Sequence, residues 1–473
     1  MSTPIDREKI DEAVMKIYDI LLSTKNVTSR YIAALAMASL WLDAYDFASF
    51  SYGVNSFKAT FPWIPVWFLG LVAIATDVGA IPGALLGGWL TDRLGRRIMF
   101  AVNMALFTLA AIGAGFAPDP YTAFALRTAL GFALGADVAT GFTYLFEYLG
   151  RTQRLWWSYF WNLYWYTALV GVALGLMYPF FILYHTLTAP IIWRIIMWVG
   201  GVWAFIIFIL RMRVPESIMW EAYRGRLATV RRLIKQTYGI DLPPDIPDVD
   251  VEIRKVARTF RSLFSIFRRE RWRELTYVFL GEFQQCFEFW GFAFYIPYVL
   301  MLLKVFGPLA TIAVSAIAYG VGGITMGLAI PWLALKVNTK YLYSIGAIGT
   351  GLMAITGALT ILYHWPPIVM AIAMTLFVAL HVIGPSSQSQ VGGSLIFHPK
   401  ERGTGSGWNY FICKSAAVFA GVGAPVLILV RGVPFAYSVI ATVSIFTGLL
   451  GLFIGYDWRT YKPPELEKTY LEK

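Results

Sequence analysis

The sequence predicts an all-α polytopic membrane protein, with twelve transmembrane helices in two pseudo-symmetric halves of six. Three observations predict it. Hydrophobic residues make up 58% of the 473 residues and charged ones only 14%, whereas a soluble domain is about a quarter charged. Mean hydropathy is +0.61. The apolar residues also fall into about twelve stretches of the roughly twenty residues that cross a bilayer as a helix.

The expected spans of the first half are 30–53, 65–90, 98–117, 121–149, 155–183 and 190–211. Those of the second are 274–303, 309–335, 340–363, 367–397, 407–430 and 433–456. Several exceed the minimum length, which predicts tilts or kinks. Residues 1–29 open with a helix start at Thr3–Pro4 and place Ile10, Val14, Ile17 and Leu21 on one face. This segment is expected on the cytoplasmic membrane surface as an amphipathic helix. The long polar interruption, 212–273, divides the halves. It has helical periodicity from Glu216 to Gly239, a Pro- and Asp-rich irregular middle, and a basic amphipathic stretch. Surface helices bracing the halves are expected there, and 457–473 is read as a cytoplasmic tail.

The net charge of +11 follows topology and gives no sign of a nucleic-acid partner. Arg93, Arg96 and Arg97 follow the second span, Arg151 and Arg154 the fourth, and a basic run from Arg211 to Arg273 the sixth. Lys336 and Lys340 follow the eighth, and Lys400 and Arg402 the tenth. The alternate loops hold little beyond Lys58, Lys304 and Arg431. By the positive-inside rule, both termini and the central segment are cytoplasmic and the membrane is the cell membrane. Cys286 and Cys413 both fall in apolar spans, so neither a disulfide nor a metal site is expected, and no cofactor is implied. No nucleophile–base set, nucleotide loop or metal cluster stands out, which argues against an enzyme.

The chemistry lies in ionisable residues at membrane depth, which are costly there and mark proton or solute paths. Asp43 and Asp46, in "WLDAYDF", are three apart and share a helical face. They are the proton-coupling candidates. Asp137, Glu288 and Lys414 also sit mid-span. Lys414 could bind an anionic solute or form a standing ion pair with a carboxylate. Asn162 and Gln284 could orient a polar solute, and Trp290, with Trp161 or Trp165, could stack on one. Asp77 could line the cavity or face a neighbouring helix. Arg127 is expected to pair with an acid, Glu282 to be structural, and His381 to pack or relay protons.

The loop "GGWLTDRLGRR" follows the second span. Gly87 and Gly88 allow close helix approach, and Gly95 allows a tight turn. Asp92 can latch onto a helix N-terminus or an arginine across the half–half boundary. Arg96 and Arg97 would meet the anionic leaflet. "LKVNTKY" after the eighth span is a faded copy of "TDRLGRRI", which makes the halves weak repeats. Such halves, related by an axis along the membrane normal, hold their solute near the midplane.

On these residues the chain resembles the major facilitator superfamily. Gly88, Asp92, Arg93, Gly95, Arg96 and Arg97 match its loop signature. "RVPESIMW", with Arg213, Pro215, Glu216, Ser217 and Trp220, is similar to the sugar-porter signature, with Ile218 in place of a proline. Arg127, Gly131, Gly135, Glu147 and Arg154 fit the fourth-span pattern. The resemblance implies gating roles for the loop residues together with Glu147, Arg154 and Glu216.

Within that superfamily the chain is similar to proton-coupled phosphate symporters at Asp43–Asp46, Gly135–Asp137, Gly384–Ser386 and Lys414. This implies proton roles for Asp43 and Asp46, with Asp137, Ser386, Tyr295 and Lys414 near the substrate. "QQCFEFWGFAFYIP" is similar to the sugar-porter seventh span at Gln284, Gln285 and Tyr295, with Glu288 and Trp290 replacing its Gly and Asn. The expected function is proton-coupled symport of a small polar or anionic solute by a monomer. Phosphate is the first candidate, a sugar or polyol the second and an organic acid the third. An uncoupled facilitator and a non-transporting sensor are the other classes.

Overall fold

The computed structural model describes residues 7–23, 29–185, 188–251, 260–293 and 308–462, and its regular structure is helical. Each expected span overlaps a helical pass. In the first half these are Ser29–Thr60, Val66–Ala73 with Ala75–Leu94, Arg96–Gly115, Pro120–Tyr148, Arg151–Tyr184 with a π-helical turn, and Ile192–Arg211. In the second they are Trp272–Ala293 (ending in a π turn), Pro308–Lys336, Thr339–Leu362, Pro367–Leu395, Arg402–Arg431 and Val433–Ile454. Among the described residues nine helices are long and apolar enough to cross a membrane, and the second pass, bent by 44°, makes a tenth. Their outer faces carry exposed apolar side chains such as Leu109, Phe205, Leu429 and Phe453, as a lipid-facing surface requires.

Local chemistry sets the boundaries. The Asp119 carboxylate accepts from the backbone N–H groups of Tyr121 and Thr122, with Pro120 in the first helical position, so the fourth pass starts there. Asn338 caps the ninth pass in the same way. Gly95, at φ +94, makes the turn between the second and third passes. The halves meet backbone to backbone beside that turn. A Cβ on Gly88 would collide with the Gly403 carbonyl oxygen, so only glycine lets the second and eleventh passes approach this closely. The π turns of the seventh pass (Phe289–Ala293) and tenth pass (Val382–Ser386) are local irregularities of the kind found at functional sites.

Three expectations are corrected. The N-terminal helix Arg7–Ser23 does bury Ile10, Val14, Ile17 and Leu21, but against protein. Its stripe packs in one cluster with Ile218, Met219, Val230 and Ile234 of the central segment, because the helices there present a matching apolar face. The periodic stretch of the central segment is two helices, Ile218–Tyr223 and Leu227–Tyr238. They are parted by Gly225 at φ +84, and Gly239 at φ +69 ends the second. Of the basic stretch after it, residues 252–259 lie outside the described residues, and Phe260–Phe264 and Arg269–Arg271 are 3-10 turns.

Cys286 and Cys413 form a disulfide between the seventh and eleventh passes, with Cα atoms 5.3 Å apart. They are 127 residues apart in sequence, so their meeting depends on helix packing that no local pattern displays.

Candidate functional site

A cavity lies between the halves. The fifth pass lines it with Trp161, Asn162, Trp165 and Tyr166, and the seventh with Gln285, Cys286, Phe289 and Trp290. The tenth pass adds His381, Ser386 and Gln390, the eleventh Tyr410, Cys413 and Lys414, and the first Leu40. The space between its walls is about 410 Å³, counting the part open to solvent. Aromatic rings make up much of the wall: Trp165 meets Trp290 at 5.9 Å between centroids, and Phe47 packs on Trp290 at 4.7 Å. Polar groups cross-link the halves here. Asn162 donates to Ser387 Oγ at 2.9 Å and accepts from Ser386 Oγ at 2.6 Å, and Tyr159 donates to Gln388 at 2.9 Å.

Asp43 and Asp46, one helical turn apart on the first pass, have different partners. Asp46 lies within the first half. Arg127 of the fourth pass reaches both its oxygens, at 3.1 and 3.2 Å, and Thr76 donates to it at 2.7 Å. The guanidinium also stacks over Phe50, 3.6 Å from the ring centroid. Asp43 crosses the boundary. Lys414 Nζ of the eleventh pass lies 3.1 Å from Asp43 and 2.9 Å from Asp77 of the second pass. Tyr410 donates to Asp43, and Trp290 Nε1 donates to Asp77 at 3.4 Å. Two carboxylates face one ammonium, one negative charge in excess by formal count, and all three side chains are buried.

Other expected binding residues stand elsewhere. Asp137 is not in the cavity wall: Arg211, at the end of the sixth pass, donates to it at 2.6 Å and to the Leu35 carbonyl. Glu288 stands behind His381, which approaches it through Nδ1 at 2.7 Å. Thr350 and Ser444 donate to Glu288 at 2.8 and 2.6 Å, and Gln284 donates as well. Gln284 therefore orients Glu288 while its neighbour Gln285 lines the cavity. Asn162, Trp290, Ser386 and Lys414 do line it. Tyr295 lies outside the described residues.

At the basic end of the bundle, Asp92 sits at the start of the eleventh pass. It accepts from the backbone N–H groups of Gly403 and Thr404 at 3.0 and 2.8 Å and from Thr404 Oγ1 at 2.8 Å. A carboxylate is favoured there by the unpaired N–H groups and the helix dipole. Arg96 bridges Asp92 and Glu147 at 3.3 and 2.7 Å. Glu216 accepts from the backbone of Arg96 and Arg97 at 2.8 and 3.2 Å; burial pushes its carboxyl up from the ordinary value, against those hydrogen bonds. Arg93 stacks on Trp89 and donates to Ser262, and Arg154 donates to Tyr18 of the N-terminal helix.

Sequence reasoning did not single out Gln390, Tyr410 or the cysteines. Gln390 lies in "SSQSQ", a polar run inside an apolar span. Tyr410 is four residues before Lys414 and so on the same face. Both signals were present.

Two six-helix halves around a buried, partly polar cavity are the architecture of the multi-pass major facilitator fold. Residues 28–457 match the family described as "Sugar (and other) transporter", and the chain belongs to that family. Phosphate symporters, ranked first from the sequence, receive no support from this match. The chain is 29% identical over 47% of its length to the niacin transporter NiaP of Acinetobacter baylyi, covering 49% of that protein. It is 22% identical over 91% of its length to the arabinose-proton symporter of Bacillus subtilis, covering 92% of it. The chain spans about half or less of the first curated relatives it matches. Its fold is that of the proton:xylose symporter XylE bound to 6-bromo-6-deoxy-D-glucose, with a TM-score of 0.76 and 18% identity over 97% of this chain and 99% of the other.

Proposed function

We propose that the chain is a proton-coupled symporter of a small neutral polyhydroxylated solute, a sugar or polyol. The single observation that carries this reading is the pairing of Lys414 in the cavity wall. Rings and amides line the cavity, and Lys414 is already held by Asp43 and Asp77. A phosphate would have to displace two carboxylates from that ammonium and enter beside an excess negative charge. A neutral solute stacks on Trp161, Trp165 or Trp290 and exchanges hydrogen bonds with Asn162, Gln285, Ser386 and Gln390 without that cost.

Protons act at two places. A proton on Asp46 releases Arg127 within the first half. A proton on Asp43 or Asp77 removes the excess charge and weakens ties that join the halves, so they can rock about the midplane. The basic end faces the cytoplasm, in the cell membrane, and the unit is a monomer. A second reading, an aromatic carboxylate, is favoured by the aromatic walls and by the niacin transporter among the relatives. It requires both acids to be protonated so that Lys414 is free.

Uptake into proteoliposomes under an inside-alkaline gradient tests this, with labelled pentoses, hexoses, inositol, nicotinate and phosphate compared. Gradient-driven accumulation of a sugar or polyol supports the first reading. Accumulation of nicotinate selects the second, and accumulation of phosphate, or saturable binding without flux, removes both.

A further inference from the structure

We propose that Glu282, Cys286 and Cys413 form a redox-dependent metal site, a disulfide when oxidised and a site for one thiophilic divalent cation when reduced. Glu282 and Cys286 are four apart on the seventh pass and so share a face, and Cys413 meets them from the eleventh. Their ligand atoms lie within 4.8 Å of one another. Two thiolates and a carboxylate on one zinc-like ion, at about 2.3 and 2.0–2.2 Å, span similar separations once the S–S bond is broken.

The second observation is what now stands among the three. The Gln285 amide nitrogen lies 3.0 Å from Glu282 Oε1, 3.0 Å from Cys286 Sγ and 3.6 Å from Cys413 Sγ. Three acceptors converge on an NH₂ group that has two hydrogens to give. Glu282 is 0% exposed, and its side chain meets as hydrogen-bond donors only the amides of Gln285 and Asn409 among the described residues. A cation would satisfy all three acceptors at once. Gln285 would then turn, with its carbonyl oxygen or a water from the cavity as fourth ligand.

The chemistry balances with a small dithiol as reductant. It transfers two electrons and two protons to the Cys286–Cys413 bond, giving two thiols, and closes into its own cyclic disulfide. Cation binding then expels both thiol protons, so occupancy falls as pH falls. Soft thiolates select zinc- or cadmium-like ions over magnesium or calcium. Because Gln285, Cys286 and Cys413 line the cavity, occupancy would move a wall residue and fix the seventh pass to the eleventh. Such a cation should therefore inhibit the reduced transporter and spare the oxidised one.

The test uses the full chain in nanodiscs, reduced by dithiol and desalted, beside a re-oxidised sample. Thiols are counted after unfolding in both. Cadmium is titrated, reading thiolate-to-metal charge-transfer absorption and bound metal by mass spectrometry. The expected result is two thiols and one cadmium per chain when reduced, and neither when oxidised. Glu282→Gln, which leaves both sulfurs in place, should weaken binding about tenfold or more, as even outer-shell changes do at metal sites. Equal binding in both samples, no binding by the two-thiol form, unchanged affinity in Glu282→Gln, or failure of the disulfide to re-form would each overturn the proposal.

Discussion

Asp46 and Asp43 sit one turn apart on the same helix, yet one charge cluster is internal to a half and the other joins the halves. Asp46 finds Arg127 and Thr76 among its own six passes. Asp43 finds Lys414 and Tyr410 across the boundary, with Asp77 as a second acid. The internal pair can change protonation without parting anything. The crossing cluster cannot lose its charges without loosening the contact between the halves. One sequence motif thus supplies both an ion pair within a half and a tie between the halves.

The largest expected effect comes from breaking the crossing cluster on one side. Lys414→Ala leaves Asp43 and Asp77 buried without their cation, a loss of about 3–5 kcal/mol. Melting in detergent should fall sharply, and adding Asp43→Asn and Asp77→Asn should recover much of it. An unchanged melting curve for Lys414→Ala alone would remove that tie.

Next in size is Asp46→Asn, which should abolish gradient-driven accumulation while leaving counterflow exchange of the same solute. Equal loss of both would place Asp46 in the structure alone. Asp92→Asn comes third. It weakens charge-assisted bonds to Gly403 and Thr404 of about 1.5–3 kcal/mol, so alkylation of cysteines placed near the basic end should speed up by roughly tenfold or more. No change in rate would mean the latch carries little of the closed state's stability.

The effect smallest at neutral pH concerns His398, in the loop before the eleventh pass. Burial first, then Lys400 and Arg402, push it down to about 3. The folded chain therefore leaves it neutral while the unfolded chain protonates it near 6.5. Its contribution to stability is present at neutral pH and is lost as pH falls from about 6.5 toward 3. Comparing wild type with His398→Gln across that range should show the smaller acid slope in the variant.

The passes were legible because length and apolarity report directly on crossing a bilayer. The identity of the partners was not. Asp137 looked like a cavity acid because it is mid-span. Its counterion, Arg211, looked like a loop charge, although the end of the sixth pass carries it back to the first and fourth. The stripe at Ile10, Val14, Ile17 and Leu21 was readable, but a stripe does not say whether lipid or protein covers it. Glu288 was legible as a mid-span acid and a binding candidate, but its saturation by His381, Thr350 and Ser444 needed four helices to be placed. Lys414 was legible as an unusual charge, and its two acids were both visible. Only packing shows that it meets them together.

The most direct test of the account is proton movement caused by the solute itself. A pH-sensitive dye is sealed inside proteoliposomes without any imposed gradient, and the sugar or polyol that accumulates is added outside. The account predicts internal acidification by the wild type and none by Asp46→Asn, with solute exchange intact in both. Solute entry without acidification in the wild type, or equal acidification in the variant, would contradict it.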